Sequence, residues 1–185
     1  MIEPEDNSRF RLAAKLRDGR PVVIRVARAD DRERLKLAFG KLDPQTIYTR
    51  FFGYRKGLSE SELARLDTTD FDRAILLVVT IGDGADEAII AGATCVIDHA
   101  AGGERTAELA FTVEEDYQRQ GLASLLLQTI IALARTRGVQ RFTAEVLAGN
   151  AAMRAVFQRS GMTLSTSSSD GVIHYALRPA ADGQD

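Results

Sequence analysis

Short β-branched runs alternate along the chain with stretches of helical periodicity, and each change of period marks an element. Val22-Val23-Ile24-Arg25-Val26-Ala27 follows Asp18-Gly19-Arg20-Pro21 and predicts a strand after a turn. Asp30 or Asp31 is placed to cap a helix carrying Leu35, Leu37 and Phe39 and ending near Gly40. Pro44 suits the first turn of a second short helix with Ile47, Tyr48, Phe51 and Phe52. Ser59-Glu60-Ser61-Glu62 has the reciprocal spacing of a capping box ahead of Leu63 and Leu66. Residues 74–81 read as an apolar strand, 82–86 as a turn and 88–97 as the partner strand. A loop over 98–104 leads to a strand over 105–113. Leu122, Leu126, Ile130 and Leu133 form one stripe of a helix over 122–137 that stops near Gly138. A strand over 141–147 precedes a helix that starts at Asn150, turns Met153, Val156 and Phe157 inward and stops at Gly161. Residues 163–166 and 172–178 flank a Ser/Asp/Gly turn as a last hairpin. The order β-α-α-β-β-β-α-β-α-β predicts a mixed α/β sheet with helices packed on it.

Composition narrows the class without naming a chemistry. With 185 residues and 20.2 kDa, one domain over 1–185 is expected, with its core over about 20–178 and polar, frayed ends. A net charge of −2 and a pI near 5.8 give no electrostatic case for non-specific nucleic-acid binding. Cys95 is the sole cysteine, so neither an intrachain disulfide nor a thiol metal cluster is expected. It reads as a buried small apolar residue within a strand. His99 and His174 lack the spacing of metal ligands, and each reads as structural or exposed. No apolar run reaches membrane-spanning length and no signal-peptide core opens the chain, so a soluble cytoplasmic protein without a membrane partner is the expectation.

The stretch Asp116-Tyr117-Gln118-Arg119-Gln120-Gly121-Leu122-Ala123-Ser124 changes that picture. It joins a strand to a helix N-terminus, where the first N–H groups have no intrahelical partner and the dipole adds about half a positive charge. A diphosphate suits those donors. Gly121 lets a backbone approach closely, and Ala123 and Ser124 keep bulk away. The plainer reading is a capped loop-to-helix junction.

Gln118-x-x-Gly121-x-Ala123 resembles the (Gln/Arg)-x-x-Gly-x-(Gly/Ala) signature of the GNAT superfamily of acyl-CoA-dependent N-acetyltransferases. Downstream, 148–162 is similar to the second motif of that family: a strand end, Asn150, a helix, then Gly161 and a large apolar residue, Met162. The clear resemblance spans about 106–162. It implies a mostly antiparallel sheet whose central strands splay apart, with the pantetheine arm of acetyl-CoA in the gap. It also implies that the loop from Gln118 to Ser124 holds the diphosphate. Main-chain groups of Phe111 and Val113 are expected to pair with pantetheine, and Asn150 to reach the arm or simply cap its helix.

Acetylating an amine requires the amine to be neutral. For a lysine with a pKa of about 10.4 this costs roughly 4–5 kcal/mol at neutral pH, and a positioned carboxylate can accept the proton. Under the family resemblance Glu108 is the expected general base. Strand alternation puts it on one face with Ala110 and Thr112, opposite Leu109, Phe111 and Val113. Otherwise it is a carboxylate facing water or an arginine. Many members carry a helix Tyr that protonates the leaving thiolate, but this chain has Val156-Phe157-Gln158 there. Tyr117 and Tyr175 are weak substitutes.

The segment 43–52, followed by 58–63, resembles part of bacterial protein-lysine acetyltransferases, which act on acyl-CoA synthetases and related proteins. The expected reaction is therefore acetyl transfer from acetyl-CoA to a protein lysine, without a metal. Residues 46–61, with Arg55 and Lys56 exposed, and the hairpin near Val172 are expected to form the acceptor rim. The competing classes are an acetyltransferase for a small amine, such as a polyamine, amino acid or aminoglycoside, and a non-catalytic CoA-binding sensor. A homodimer is compatible with each.

Overall fold

Residues 9–67, 70–98 and 103–180 are described by the computed structural model. A hairpin of β1 (Arg11–Lys15) and β2 (Pro21–Val26) precedes α1 (Arg32–Lys41), α2 (Pro44–Phe51) and α3 (Glu60–Ala64). Strands β3 (Ala74–Ile81), β4 (Ala88–Asp98) and β5 (Thr106–Val113) form a meander. Helix α4 (Leu122–Arg135) crosses to β6 (Arg141–Leu147), and α5 (Ala151–Gln158) leads to the hairpin of β7 (Thr163–Ser169) and β8 (Val172–Arg178). The eight strands lie in the order β1-β2-β3-β4-β5-β6-β8-β7. Every neighbouring pair is antiparallel except β5 and β6. The expected mixed, mostly antiparallel sheet is what forms.

Local signals account for most boundaries. Asp43 caps α2 by accepting from the Gln45 N–H at 2.8 Å, with Pro44 in the first turn. Ser59 and Glu62 close the capping box of α3. The last hairpin turns through Asp170 and Gly171, both at positive φ, and β7 runs on to Ser169, past the expected 166. Strand β1 is the element that the hydrophobic pattern misses. Its sequence, Arg-Leu-Ala-Ala-Lys, is Ala-rich and charged, and its side chains are largely exposed at the sheet edge. Only its register against β2, from Arg11↔Arg25 to Lys15↔Pro21, makes it a strand.

The two faces of the sheet carry two cores. Leu122, Leu126, Ile130 and Leu133 of α4, with Phe157 of α5, pack on Leu77, Ala93, Cys95, Ala107 and Leu109. A smaller core forms on the other face, where Leu63 and Leu66 meet Ala27, Val78 and Ile89. Leu35 packs on this smaller core and Phe39 is buried, while Leu37 points to solvent, 68 % exposed. Phe51 is partly buried, but Phe52, in the left-handed conformation that ends α2, turns outward.

Asp31 stands at the N-cap of α1, yet its carboxylate makes no capping bond. It is fully buried and takes both guanidinium forks of Arg25 at 2.7 Å, as well as the Arg28 N–H at 2.8 Å. Glu87 accepts two further bonds from Arg25, at 3.2 and 3.1 Å. A buried guanidinium attracts the carboxylate more strongly than helix N–H groups do, so the expected cap becomes part of an ion cluster.

Candidate active site

β5 and β6 share only three rungs, Thr106↔Arg141, Ala107↔Phe142 and Glu108↔Thr143. Beyond Glu108 the strands diverge, although β5 stays paired with β4 as far as Ala91↔Val113. The Glu114 N–H donates to Ile90 O on β4, whereas the Val113 carbonyl accepts from Gln118 Nε2 at 3.2 Å on the opposite side. By alternation, Leu109, Phe111 and Val113 turn their main-chain groups away from β4, into the gap. Phe111 thus offers both an N–H and a C=O there, while the carbonyl of Val113 is engaged by Gln118. A cavity of about 60 Å³ occupies the gap, bordered by Arg50, Ala110, Glu145, Asn150, Met153 and Phe157 among others.

The loop at the open end is shaped by two positive φ angles, 61° at Arg119 and 88° at Gly121. Gly121 is the N-cap of α4 and has no side chain to claim the first N–H groups. The space above it is open: the nearest atom to a Cβ built there is Arg17 Nε at 4.0 Å. Gln118 and Arg119 are exposed, Gln120 and Ala123 are partly covered, Leu122 is buried in the core and Ser124 faces solvent. Leu122 therefore serves as an anchor of the helix, and only its N–H is available to a ligand. Arg17, from the β1–β2 turn, donates to Arg119 O at 3.1 Å, and the Asp18 N–H reaches Gln120 Oε1 at 3.3 Å. This guanidinium beside the helix N-terminus has no local sequence signal, since it is 102 residues away. Asn150 heads α5 on the far side of the gap and accepts from the Met153 N–H at 3.1 Å, so it is an N-cap.

Glu108 stands on the last rung before the strands part, and its side chain is exposed. It projects on the face with Ala110 and Thr112, opposite the α4 core, next to the exposed Val96 of β4. Arg50, in the last turn of α2, reaches this face and donates to Thr94 Oγ1 at 3.4 Å. Burial pushes its guanidinium below the ordinary value, while the charges of Glu62 and Glu108 act the other way. A larger cavity of about 190 Å³ lies beyond Arg50, between the sheet and α1–α3. Its walls are mainly apolar, including Phe39, Leu63, Leu66 and Val78.

Arg55 differs from its expected place as an exposed rim residue. Its guanidinium forks onto Glu62 at 2.8 and 2.6 Å and lies 4.5 Å from the Phe51 ring centroid. Those bonds, with help from Ser59, hold the Glu62 carboxyl down at about 2. Lys56 is exposed as expected. Cys95 is completely buried, and burial pushes its thiol up to about 12. Phe157 occupies the α5 position opposite the gap and packs between Phe111 and Tyr175. Tyr175 is itself buried, Tyr117 lies under Arg20 at 5.0 Å, and neither borders the gap cavity. His174 pairs with Glu145 at 3.1 Å and Ser169 at 3.0 Å; His99 lies outside the described residues. Among the described residues no group of three or more His, Cys, Asp or Glu is placed to hold a metal, and no helix is long and apolar enough to cross a membrane.

Residues 43–162 match the model of the acetyltransferase (GNAT) family. Acetyltransferase Pat of Mycolicibacterium smegmatis is 36 % identical over 162 residues, which are 83 % of this chain and 47 % of Pat. The crystal structure of the GNAT domain of S. lividans PAT superposes with a TM-score of 0.81 at 34 % identity, covering 91 % of this chain and 96 % of that domain. The fold alone is shared with yncA of Salmonella typhimurium, a putative acetyltransferase solved with its cofactor acetyl-CoA (TM-score 0.67, 19 % identity, 89 % of this chain and 98 % of that one).

Proposed function

The chain belongs to the GNAT acetyltransferase family, and from that premise we propose that it transfers an acetyl group from acetyl-CoA to a protein lysine, with Glu108 as the general base. The observation that carries this reading is the place of Glu108, an exposed carboxylate on the rung where β5 and β6 part. A base is useful only where the reacting amine and the acyl carbon can meet, and the gap begins there.

The chain's own groups fit the co-substrate, which supplies an activated acetyl group on a thiol. The open, side-chain-free N-cap at Gly121 leaves the first N–H groups of α4 for an anion, and Arg17 adds positive charge beside them. The main-chain groups of Phe111 suit an extended arm as an added strand would. Val113 offers its N–H, and Asn150 borders the gap while capping α5. Glu108 takes the amine proton, and α1–α3 shield that face from water on one side. The lysine acceptor rests on the likeness to Pat and on the resemblance of segment 43–63 to protein-lysine acetyltransferases.

Incubating the protein and acetyl-CoA with a cell lysate, then mapping new acetyl groups, tests the reading. Modified lysines on folded proteins are expected, acyl-CoA synthetases among them. Acetylated polyamines, amino acids or aminoglycosides with no modified protein would replace the lysine by a small amine. No transfer at all, despite tight CoA binding, would leave a sensor.

A further inference from the structure

Arg50 is charged, half-buried and poorly supplied with partners. Among the described residues its hydrogen bonding amounts to one long contact, 3.4 Å to Thr94 Oγ1. It rests 4.7 Å from the Phe51 ring centroid. Two carboxylates act on it, Glu62 and Glu108. Glu62 is already held by both forks of Arg55 and by the Ser59 N–H at 2.7 Å. Arg50 also borders the cavity of the β5–β6 gap, and among the described residues it is the one cationic side chain bordering it. The other charged group there, Glu145 of β6, is half-exposed and paired with His174 of β8. Glu114 borders the larger cavity on the far side of Arg50.

Resting on the function proposed above, the transfer moves charge in a defined way. Once the ammonium has lost one proton through Glu108 to solvent, the neutral amine nitrogen bonds to the acyl carbon, the carbon–sulfur bond breaks with its electron pair on sulfur, and the remaining surplus N–H proton passes to Glu108. A negative charge that began on Glu108 ends on the thiolate of CoA. Helix α5 carries no Tyr, and its Phe157, packed between Phe111 and Tyr175, offers no phenolic proton to the sulfur. We propose that Arg50 is the cation that faces this charge at both ends, first the Glu108 carboxylate and then the departing thiolate, so that the sulfur leaves ion-paired and unprotonated. The partly desolvated position of Arg50 strengthens that attraction.

The proposal is tested on bound CoA without any turnover. The ultraviolet absorbance of the thiolate is followed against pH in the full chain. A thiol ordinarily titrates near about 8.5, and an opposite charge within contact range lowers this by about 1–3 units. In the wild type the bound thiol should titrate at least about one unit below free CoA. At a pH above the titration of free CoA, CoA should bind about tenfold tighter or more than desulfo-CoA, which has no thiol. Arg50→Gln should abolish both effects while CoA binding to the loop persists, and Arg50→Lys should keep part of them. Performing the same titration in Glu108→Gln removes the opposing carboxylate and should lower the wild-type value further. Arg50→Met, which keeps the packing on Phe51, substitutes if the Gln variant does not fold. A thiol titrating at or above its solution value on CoA-loaded wild type overturns the role of Arg50 and leaves the acetyltransferase reading standing. Equal titrations in wild type and the Arg50 variants do the same. Failure of the wild type to bind CoA overturns both.

Discussion

Two arginines, one on the sheet and one on a helix against it, are in opposite circumstances. Arg25, on β2, is 3 % exposed and has its donors committed: two to Asp31, two to Glu87 and one to Val26 O. Arg50, over β4 and β5, has one long bond and two carboxylates at a distance. A buried charge ringed by matched partners has nothing left for a ligand, so its role is to hold the β2–α1 junction against the β3–β4 hairpin. A half-buried charge with open donors contributes little to the fold and stays available to a group that enters later. Both sites are rich in charge, and partner count separates a committed cation from one with donors still open.

That contrast can be broken most severely at Asp31. Asp31→Ala strands the Arg25 guanidinium in the core with only Glu87 to answer it, and removing one partner of a buried pair costs about 3–5 kcal/mol. Urea unfolding should show a loss of that order. A loss under about 1 kcal/mol, typical of an exposed pair, would put Arg25 in the same class as Arg50. Glu108→Gln is the opposite case. Turnover should fall by about 10²–10⁴ as a positioned base is removed, while the urea midpoint hardly moves because the side chain is exposed. Wild-type turnover across the pH range would make Glu108 a surface carboxylate and nothing more.

Acidification gives the smallest and most graded effect. Burial works to raise the carboxyl of Asp31, but the bonds from Arg25 and the Arg28 N–H outweigh it and hold it below the ordinary value. Glu87 is likewise raised by burial and lowered more by Arg25. Groups depressed in the native state contribute stability that is complete above the unfolded value, near about 4. That stability is lost as pH falls through the lower native values. Urea midpoints should therefore drop on going from neutral pH to below about 4, and Asp31→Ala should flatten the drop. An unchanged slope in the variant would exclude the cluster as its source.

The parts of the molecule written in nearby residues were readable from the chain. Pro44, the Ser59–Glu62 box, the α4 stripe and Gly121 act over one or two helical turns, so spacing alone reveals them. Glu108 stands out as a candidate because it interrupts an apolar strand next to the glycine loop. Arg17 and Arg50 do not, because the β1–β2 turn and α2 bring them to the site from distant segments. Strand β1 was hidden for a related reason: an exposed edge needs no hydrophobic alternation, and its identity lies in its partner. Asp31 looked like a helix cap because capping is local, whereas Arg25 wins it through the tertiary fold. Phe52 was misplaced because it ends α2 in the left-handed conformation, and Arg55 because Glu62 and the Phe51 ring hold it.

The lone parallel pairing has a consequence in connectivity. Two parallel neighbours cannot be joined by a hairpin, and the chain must return over the sheet, here through α4. The crossover has to begin where β5 ends, and β5 ends on the side where the pair has opened. Because β6 runs the same way, α5 also begins there. A change in strand direction would move both helix starts to the closed end of the wedge, out of reach of anything lodged in it. One choice of orientation thus decides that the wedge and its two helix-start dipoles face the same visitor.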